Sequence, residues 1–298
     1  MFKAALTLIG LKMKNINYDI VSVHFATEAM LMHWLKPVLG WPYIYVCEGY
    51  SDLEAKVAKY AGAQLAISRH IVENYERNFG YRPQLIPVGV DTKRFLVSND
   101  KISLREKILG AGFENKFIVL TVCRLFPDKD LPTLIKAAKK VNAINSDIAF
   151  VIVGDGGERP AIENMIKEFN LSDAVILAGN VSDKDLPDFY ALSDIFILTE
   201  VRSGFSGGIV FLEAMSIGLP IIATDAGGTR ETLEGIGIVL PLGDTEKLAE
   251  NILRVFNDCN LYQKMRDRGL EKVKVYDWDS LISRYLQAYE AVALRGRN

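Results

Sequence analysis

The chain has 298 residues, a net charge of −2, and ordinary globular proportions: 49% hydrophobic, 24% charged and 10% aromatic. That length predicts about two domains with sizeable cores, and the near-neutral balance excludes a basic surface spread over the whole molecule, so no nucleic-acid partner is expected. Cys47, Cys123 and Cys259 match no zinc or disulfide spacing, and no apolar run is long enough to span a bilayer, which sets the expectation of a reducing, cytoplasmic location.

Phe2, Leu6, Ile9 and Met13 recur at helical spacing, so the chain begins inside a helix; Lys12 and Lys14 follow with no cleavage site, unlike a signal peptide. Tyr18–His24 reads as a strand, about Glu28 to Val38 as a helix, and Tyr43–Cys47 as a strand. Ser51 and Glu54 form a capping box for a helix that reaches about Tyr60. Gln64–Ile67 and Leu85-Ile86 are short strands flanking a helix capped by Ser68 and ended by Gly80. Residues 92–116 are polar, contain a second capping box from Ser103 to Glu106, and read as a linker region.

The second half alternates more regularly. Strands are expected at Phe117–Val122, Ile148–Val153, Val175–Leu177, Ile195–Leu198, Pro220–Ala223 and Gly237–Leu240, with helices between them and a last amphipathic helix from about Asp277-Trp278. Strands alternating with helices argue βαβ units and a parallel sheet, and such sheets bind ligands at their carboxyl edge.

The chain is organised around Asp194–Gly228: strand, glycine-rich turn (Ser203-Gly-Phe-Ser-Gly-Gly208), helix, strand. Ser206, Gly207, Gly208, Ile209 and Val210 sit at the turn and helix start, where backbone N–H groups favour an anion such as a phosphate. A plain αβ turn is the equal alternative for this loop alone. Arg124 and Lys129 follow the strand at 117–122 and suit phosphate oxygens, or are two solvated charges. Gly154 and Gly156 end the next strand, and Gly227 and Gly228 a later one; each pair is either a ligand loop or a turn. Glu213, within the central helix, reaches sugar hydroxyls or is a surface glutamate. Several such loops at one edge carry more weight than any one of them.

Taken together, Ile86–Phe95, Val122–Lys129, Val151–Gly156, Asp194–Leu198, Phe211-Leu-Glu-Ala-Met215 with Gly218-Leu-Pro220, and Ala223–Gly228 resemble the retaining glycosyltransferases of the GT-B fold called glycosyltransferase family 4. The resemblance implies an α/β chain with two Rossmann-like parallel-sheet domains facing each other across a cleft, the first apparently truncated. It divides the chain into an acceptor-side domain at 1–97, a linker region at 98–116, a nucleotide-sugar-binding domain at 117–276, and a closing helix at 277–298 that packs back toward the first domain.

The implied reaction is metal-independent transfer of a sugar from a nucleotide diphosphate sugar, for example a UDP-sugar, to a glycan, glycolipid or small acceptor. The donor is a substrate and no cofactor is implied. Retention by front-face departure of the diphosphate rests on leaving-group stabilisation and positioning. Arg124 and Lys129 match the diphosphate-binding pair, and Glu213 matches the second residue of the family's glutamate–seven residues–glutamate signature, which holds the donor ribose.

Three departures stand out. Eight positions before Glu213 lies Phe205, with Ser203 in the place of the leading glutamate and Glu200 further back as a substitute. Glu48-Gly49 replaces the family's histidine, giving Glu48 an acceptor-side catalytic role or none. The first domain lacks roughly one βαβ unit, so a partner chain or homo-oligomer completing it is a further expectation, as is peripheral membrane contact. The rival readings are a degenerate or partner-dependent nucleotide-sugar-binding subunit and a nucleotide-sugar epimerase. His24 and Asp19 resemble a family strand pattern, with a structural strand-end histidine as the equal alternative; His33 and His70 fall on helix faces.

Overall fold

The computed structural model describes residues 2–14, 16–49, 51–95, 100–201 and 208–295, the side chains of 2–6 and 295 excepted. In chain order the first elements are α1 (Phe2–Met13), β1 (Val21–Val23), α2 (Ala26–Leu39), β2 (Tyr43–Cys47), α3 (Asp52–Ala58), β3 (Ala63–Ala66), α4 (Arg69–Phe79), β4 (Gln84–Leu85) and α5 (Lys101–Leu109). Then come β5 (Phe117–Val122), α6 (Leu131–Ile144), β6 (Ile148–Val153), α7 (Arg159–Glu168), β7 (Val175–Gly179), α8 (Leu186–Ala191), β8 (Ile195–Leu198), α9 (Ile209–Ser216), β9 (Ile221–Thr224), α10 (Thr229–Leu233), β10 (Ile238–Leu240), α11 (Thr245–Asn257), α12 (Cys259–Val273) and α13 (Trp278–Arg295). The described residues divide into two compact units, one up to Gly89 together with Trp278 onward, the other from Val90 to Asp277.

The first unit holds a parallel sheet in the order β1-β2-β3-β4. β2 is buried along its whole length, as its unbroken run Tyr-Ile-Tyr-Val-Cys requires of a central strand in a parallel sheet. Leu8 and Leu11 of α1 pack on the same core as Ala29, Met32 and Leu39 of α2. α13 returns to this unit: Ala288 and Val292 pack with Ile44 and Leu65, and the Tyr285 hydroxyl donates to the Pro87 carbonyl at 3.2 Å. Ser51 and Ser68 cap α3 and α4 as expected, each accepting a backbone N–H at 3.2 Å.

The second unit is a six-stranded parallel sheet in the order β10-β9-β8-β5-β6-β7. Strand order reverses between β5 and β8, where Val119 pairs with Ile195 and Leu120 with Phe196. This is the doubly wound arrangement, and its switch point lies at the carboxyl ends of β5 and β8. β6 and β8 are buried throughout, and Ile135, Ala138, Phe150, Ile152, Ile195 and Ile222 lie in one core.

The polar stretch before β5 contains α5, which fastens to the amino ends of the central strands β5 and β8. Buried Arg105 donates to the Leu192 carbonyl at 2.8 Å and to the Asp194 carboxylate at 2.6 Å. Lys101 and the Ile118 N–H also reach Asp194, at 2.9 and 2.7 Å. The cap of α5 is Asp100, which accepts the Ser103 N–H at 3.1 Å; Ser103 lies inside the first turn, so it is not the capping residue expected from the sequence. Among the described residues no helix is long and apolar enough to cross a membrane.

Candidate functional site

At the switch point the loops after β5, β6 and β8 are tied together through their backbones. The Cys123 N–H donates to Val153, Leu125 to Asp155, and Glu158 to Leu125, each at 3.0 Å. Val201 donates to the Asp128 carbonyl at 3.1 Å and the Thr199 hydroxyl to the Lys129 carbonyl at 2.8 Å. These bonds bring Arg124, Lys129, Gly154, Gly156 and Glu200 to one edge.

Gly154 and Gly156 are required there by backbone approach. Gly154 has φ +127°, and a Cβ on it would stand 1.9 Å from the Cys123 carbonyl oxygen; one on Gly156 would stand 2.4 Å from that of Leu125. The glycine turn therefore seats the segment that carries Arg124. Arg124 is exposed, its guanidinium 5.2 Å from the Phe126 ring centroid.

Lys129 is not a solvated charge. Its ammonium donates to the Glu200 carboxylate and lies 3.4 Å from Asp128. The two side chains keep only 18% and 11% of their surface exposed. Burial pulls the Lys129 pKa down, but the Glu200 and Asp128 carboxylates overcome it and the net shift is upward. Burial pushes Glu200 up, more than the Lys129 ammonium holds it down. The Glu200 backbone is pinned on both sides by the Thr224 hydroxyl of β9, which accepts its N–H at 2.6 Å and donates to its carbonyl at 2.7 Å.

Gly208 caps α9, and Ile209 and Val210 form its first turn. Ser203, Ser206 and Gly207 lie outside the described residues. Gly227, at φ +54°, and Gly228 lead into α10. Glu213 is buried rather than on the surface, and accepts the Tyr190 hydroxyl at 2.7 Å. Burial raises its pKa against the opposing effects of Tyr190 and Arg94. Complete burial, followed by the Glu213 charge, raises Tyr190. Tyr190 was not legible as a partner, because an aromatic on a short helix gives no signal of what it faces.

A carboxyl held above its ordinary pKa favours folding most below its unfolded value of 4.5, and loses that contribution as pH rises through the raised value. Glu213→Gln keeps an oxygen for the Tyr190 hydroxyl and removes the buried charge. The variant is expected to gain on the order of 1 kcal/mol in urea melts at pH 7. The gap closes near pH 4.5, whereas a Gln variant weaker than wild type at pH 7 contradicts the assignment.

Glu48 belongs to the first unit. It follows β2, and its carboxylate lies 2.7 Å from His24 Nδ1, just past β1. The pairing joins residues 24 positions apart and was missed, although both lie at the carboxyl ends of strands that neighbour in the sheet. Cys47 is buried and Cys123 half-buried, and burial pushes each thiol up to about 12.

The sequence profile of the family described as "Glycosyl transferases group 1" matches residues 106–272. A GDP-mannose-dependent monoacylated alpha-(1-6)-phosphatidylinositol monomannoside mannosyltransferase of Corynebacterium glutamicum is 32% identical over 203 residues, covering 64% of this chain and 52% of that protein. A UDP-Gal:alpha-D-GlcNAc-diphosphoundecaprenol alpha-1,3-galactosyltransferase of Escherichia coli is 29% identical over 269 residues, 83% of this chain and 68% of its own length. The chain thus spans about half the length of the first of these relatives. Among solved structures, Anabaena HepE in complex with UDP-glucose superposes with a TM-score of 0.84 at 21% identity, covering 97% of this chain and 81% of that one. At that identity the likeness shows the fold: two Rossmann-like parallel-sheet units of GT-B type, as the sequence resemblance implied.

Proposed function

The chain belongs to the glycosyl transferases group 1, and from that premise we propose that it transfers a sugar from a nucleotide diphosphate sugar to a hydroxyl-bearing acceptor. The observation that carries this reading is that the loops bearing Arg124 and Lys129 are tied to those after β6 and β8 at the switch point of the second sheet, with α9 the next helix after β8. A switch point is where a doubly wound sheet opens to a ligand, and helix-start N–H groups with a guanidinium and an ammonium suit a diphosphate.

In this reading Arg124 and Lys129 meet the charge that develops on the leaving diphosphate. Ser206, Gly207, Gly208, Ile209 and Val210 hold its oxygens. Glu213, with Tyr190 on one oxygen, holds the donor ribose, and the Gly154–Gly156 and Gly227-Gly228 turns border the nucleotide. Glu48 serves the acceptor side. The sugar–phosphate bond breaks as the acceptor oxygen bonds to the anomeric carbon on the same face and its proton passes to the departing diphosphate oxygen, so configuration is retained and side chains rather than a metal stabilise the leaving group.

The test is product analysis with UDP-, GDP- and ADP-sugars. Free nucleoside diphosphate, with the sugar passed to an acceptor or to water in its original anomeric configuration, is the expected result. A changed sugar still attached to its nucleotide is the epimerase outcome, and binding with no turnover the binding-subunit outcome; either overturns the reading.

A further inference from the structure

The first unit carries a pair of titratable side chains that its core does not use. His24 and Glu48 stand just past the ends of neighbouring strands β1 and β2, joined at 2.7 Å, with 44% and 29% of their side chains exposed. The His24 N–H donates to Glu28 at 3.1 Å, which fixes the backbone. His24 Nε2 lies 3.4 Å from the Ser22 hydroxyl, which accepts the Tyr289 hydroxyl at 2.9 Å. An ionised carboxylate only accepts, so the bond between the pair calls for a proton on Nδ1, and in the neutral ring Nε2 then keeps its lone pair. A 3.4 Å contact is at the outer limit of a hydrogen bond and yields readily to a better donor.

We propose that His24 and Glu48 form a subsite for a neutral sugar hydroxyl of the acceptor, with His24 Nε2 accepting the hydroxyl and Glu48 holding the ring in that tautomer; this rests on the transferase reading above. Three observations fix the ligand class. Glu48 places a carboxylate against the imidazole, and Glu28 places a second at the backbone N–H groups of His24 and Phe25. Among the described residues no Lys or Arg bonds to any of Ser22, His24, Glu28 or Glu48. That charge pattern repels a phosphate and accepts hydroxyls. Phe25 follows His24 at once with 59% of its surface exposed, an apolar ring of the kind that stacks on a sugar face.

Glu48 is thus a positioning residue, and His24 the residue that touches the acceptor. The chain has three histidines, so ring 15N NMR resolves His24, assigned with His24→Gln. The expected result is the Nδ1–H tautomer in wild type and in Glu48→Gln, whose amide oxygen still accepts, and its loss in Glu48→Ala. Methyl α-glucopyranoside shifts the His24 signal and glucose 1-phosphate does not. An Nε2–H tautomer, or an equal response to the phosphate, overturns the proposal. In kinetics, His24→Gln raises the acceptor KM about tenfold with nucleotide-sugar affinity unchanged, and Glu48→Gln restores most of what Glu48→Ala loses. Equal loss of donor affinity overturns the assignment. If wild type binds no nucleotide sugar, the transferase reading fails, while the tautomer and the glycoside shift still decide the subsite.

Discussion

Gly154→Ala destabilises the second unit by about 3 kcal/mol or more in urea melts, a value reserved for backbone strain and overpacking that cannot relax. Two causes act together. The residue has φ +127°, which L side chains rarely adopt, and a Cβ there would stand 1.9 Å from the Cys123 carbonyl oxygen and 2.9 Å from its carbon. Both opposing atoms are backbone, so no rotamer change relieves the clash. Gly157, three residues on, has nothing within 4 Å of a Cβ, and Gly157→Ala stays within about 0.5 kcal/mol of wild type. The loop that must move in Gly154→Ala carries Arg124, so nucleotide affinity falls with stability. Equal costs for the two alanines would show that the turn does not press on the Cys123–Leu125 segment.

Lys129→Ala is expected to cost about 3 kcal/mol at pH 7, because it strands a buried carboxylate. Glu200 keeps only 11% of its side chain exposed and has Lys129 as its cation, while Asp128 adds a like charge. The Glu200 pKa already stands above its ordinary value and rises further without the ammonium. The deficit therefore narrows as the pH falls and the carboxyl takes up a proton. Lys129→Met with Glu200→Gln removes both charges and recovers most of the loss, as replaced buried pairs commonly do. Melts of the three proteins at pH 7 and pH 5 check this. A single alanine variant within about 0.5 kcal/mol of wild type would place the pair in solvent-screened surroundings.

The strands of the second unit were legible because β5, β6, β8 and β9 are short apolar runs between turns, and a parallel sheet buries such runs on both faces. α12 was not. Its sequence Cys-Asn-Leu-Tyr-Gln-Lys-Met-Arg-Asp-Arg-Gly-Leu-Glu-Lys-Val buries only Met265, Gly269 and Val273, so periodicity is faint. The cap of α5 was misplaced by three residues because both Asp100 and Ser103 are good capping types.

Within the candidate site the residue types were readable, and their partners were not. Gly154 and Gly156 announced that something comes close, and the structure identifies it as the β5 loop. Lys129 and Glu200, 71 positions apart, meet only because β5 and β8 adjoin at the strand reversal. His24 and Glu48 meet for the same reason at β1 and β2. Parallel sheets make long-range neighbours of strand ends, and local pattern carries no trace of which strands adjoin.

On the proposed function, the switch point of the second unit holds a nucleotide diphosphate sugar. The most direct test is a thermal-shift panel of UDP, GDP, ADP and their sugars on wild type and on Arg124→Ala. Arg124 is the better probe of the pair, since it is exposed and its removal strands no buried charge. A ligand at about 100 times its dissociation constant stabilises the fold by roughly 2.7 kcal/mol. The expected result is such a shift with one nucleotide family, lost or greatly weakened in Arg124→Ala, whose own unfolding stays cooperative. No shift with any donor from a cooperatively melting wild type, or a shift that Arg124→Ala leaves intact, would contradict it.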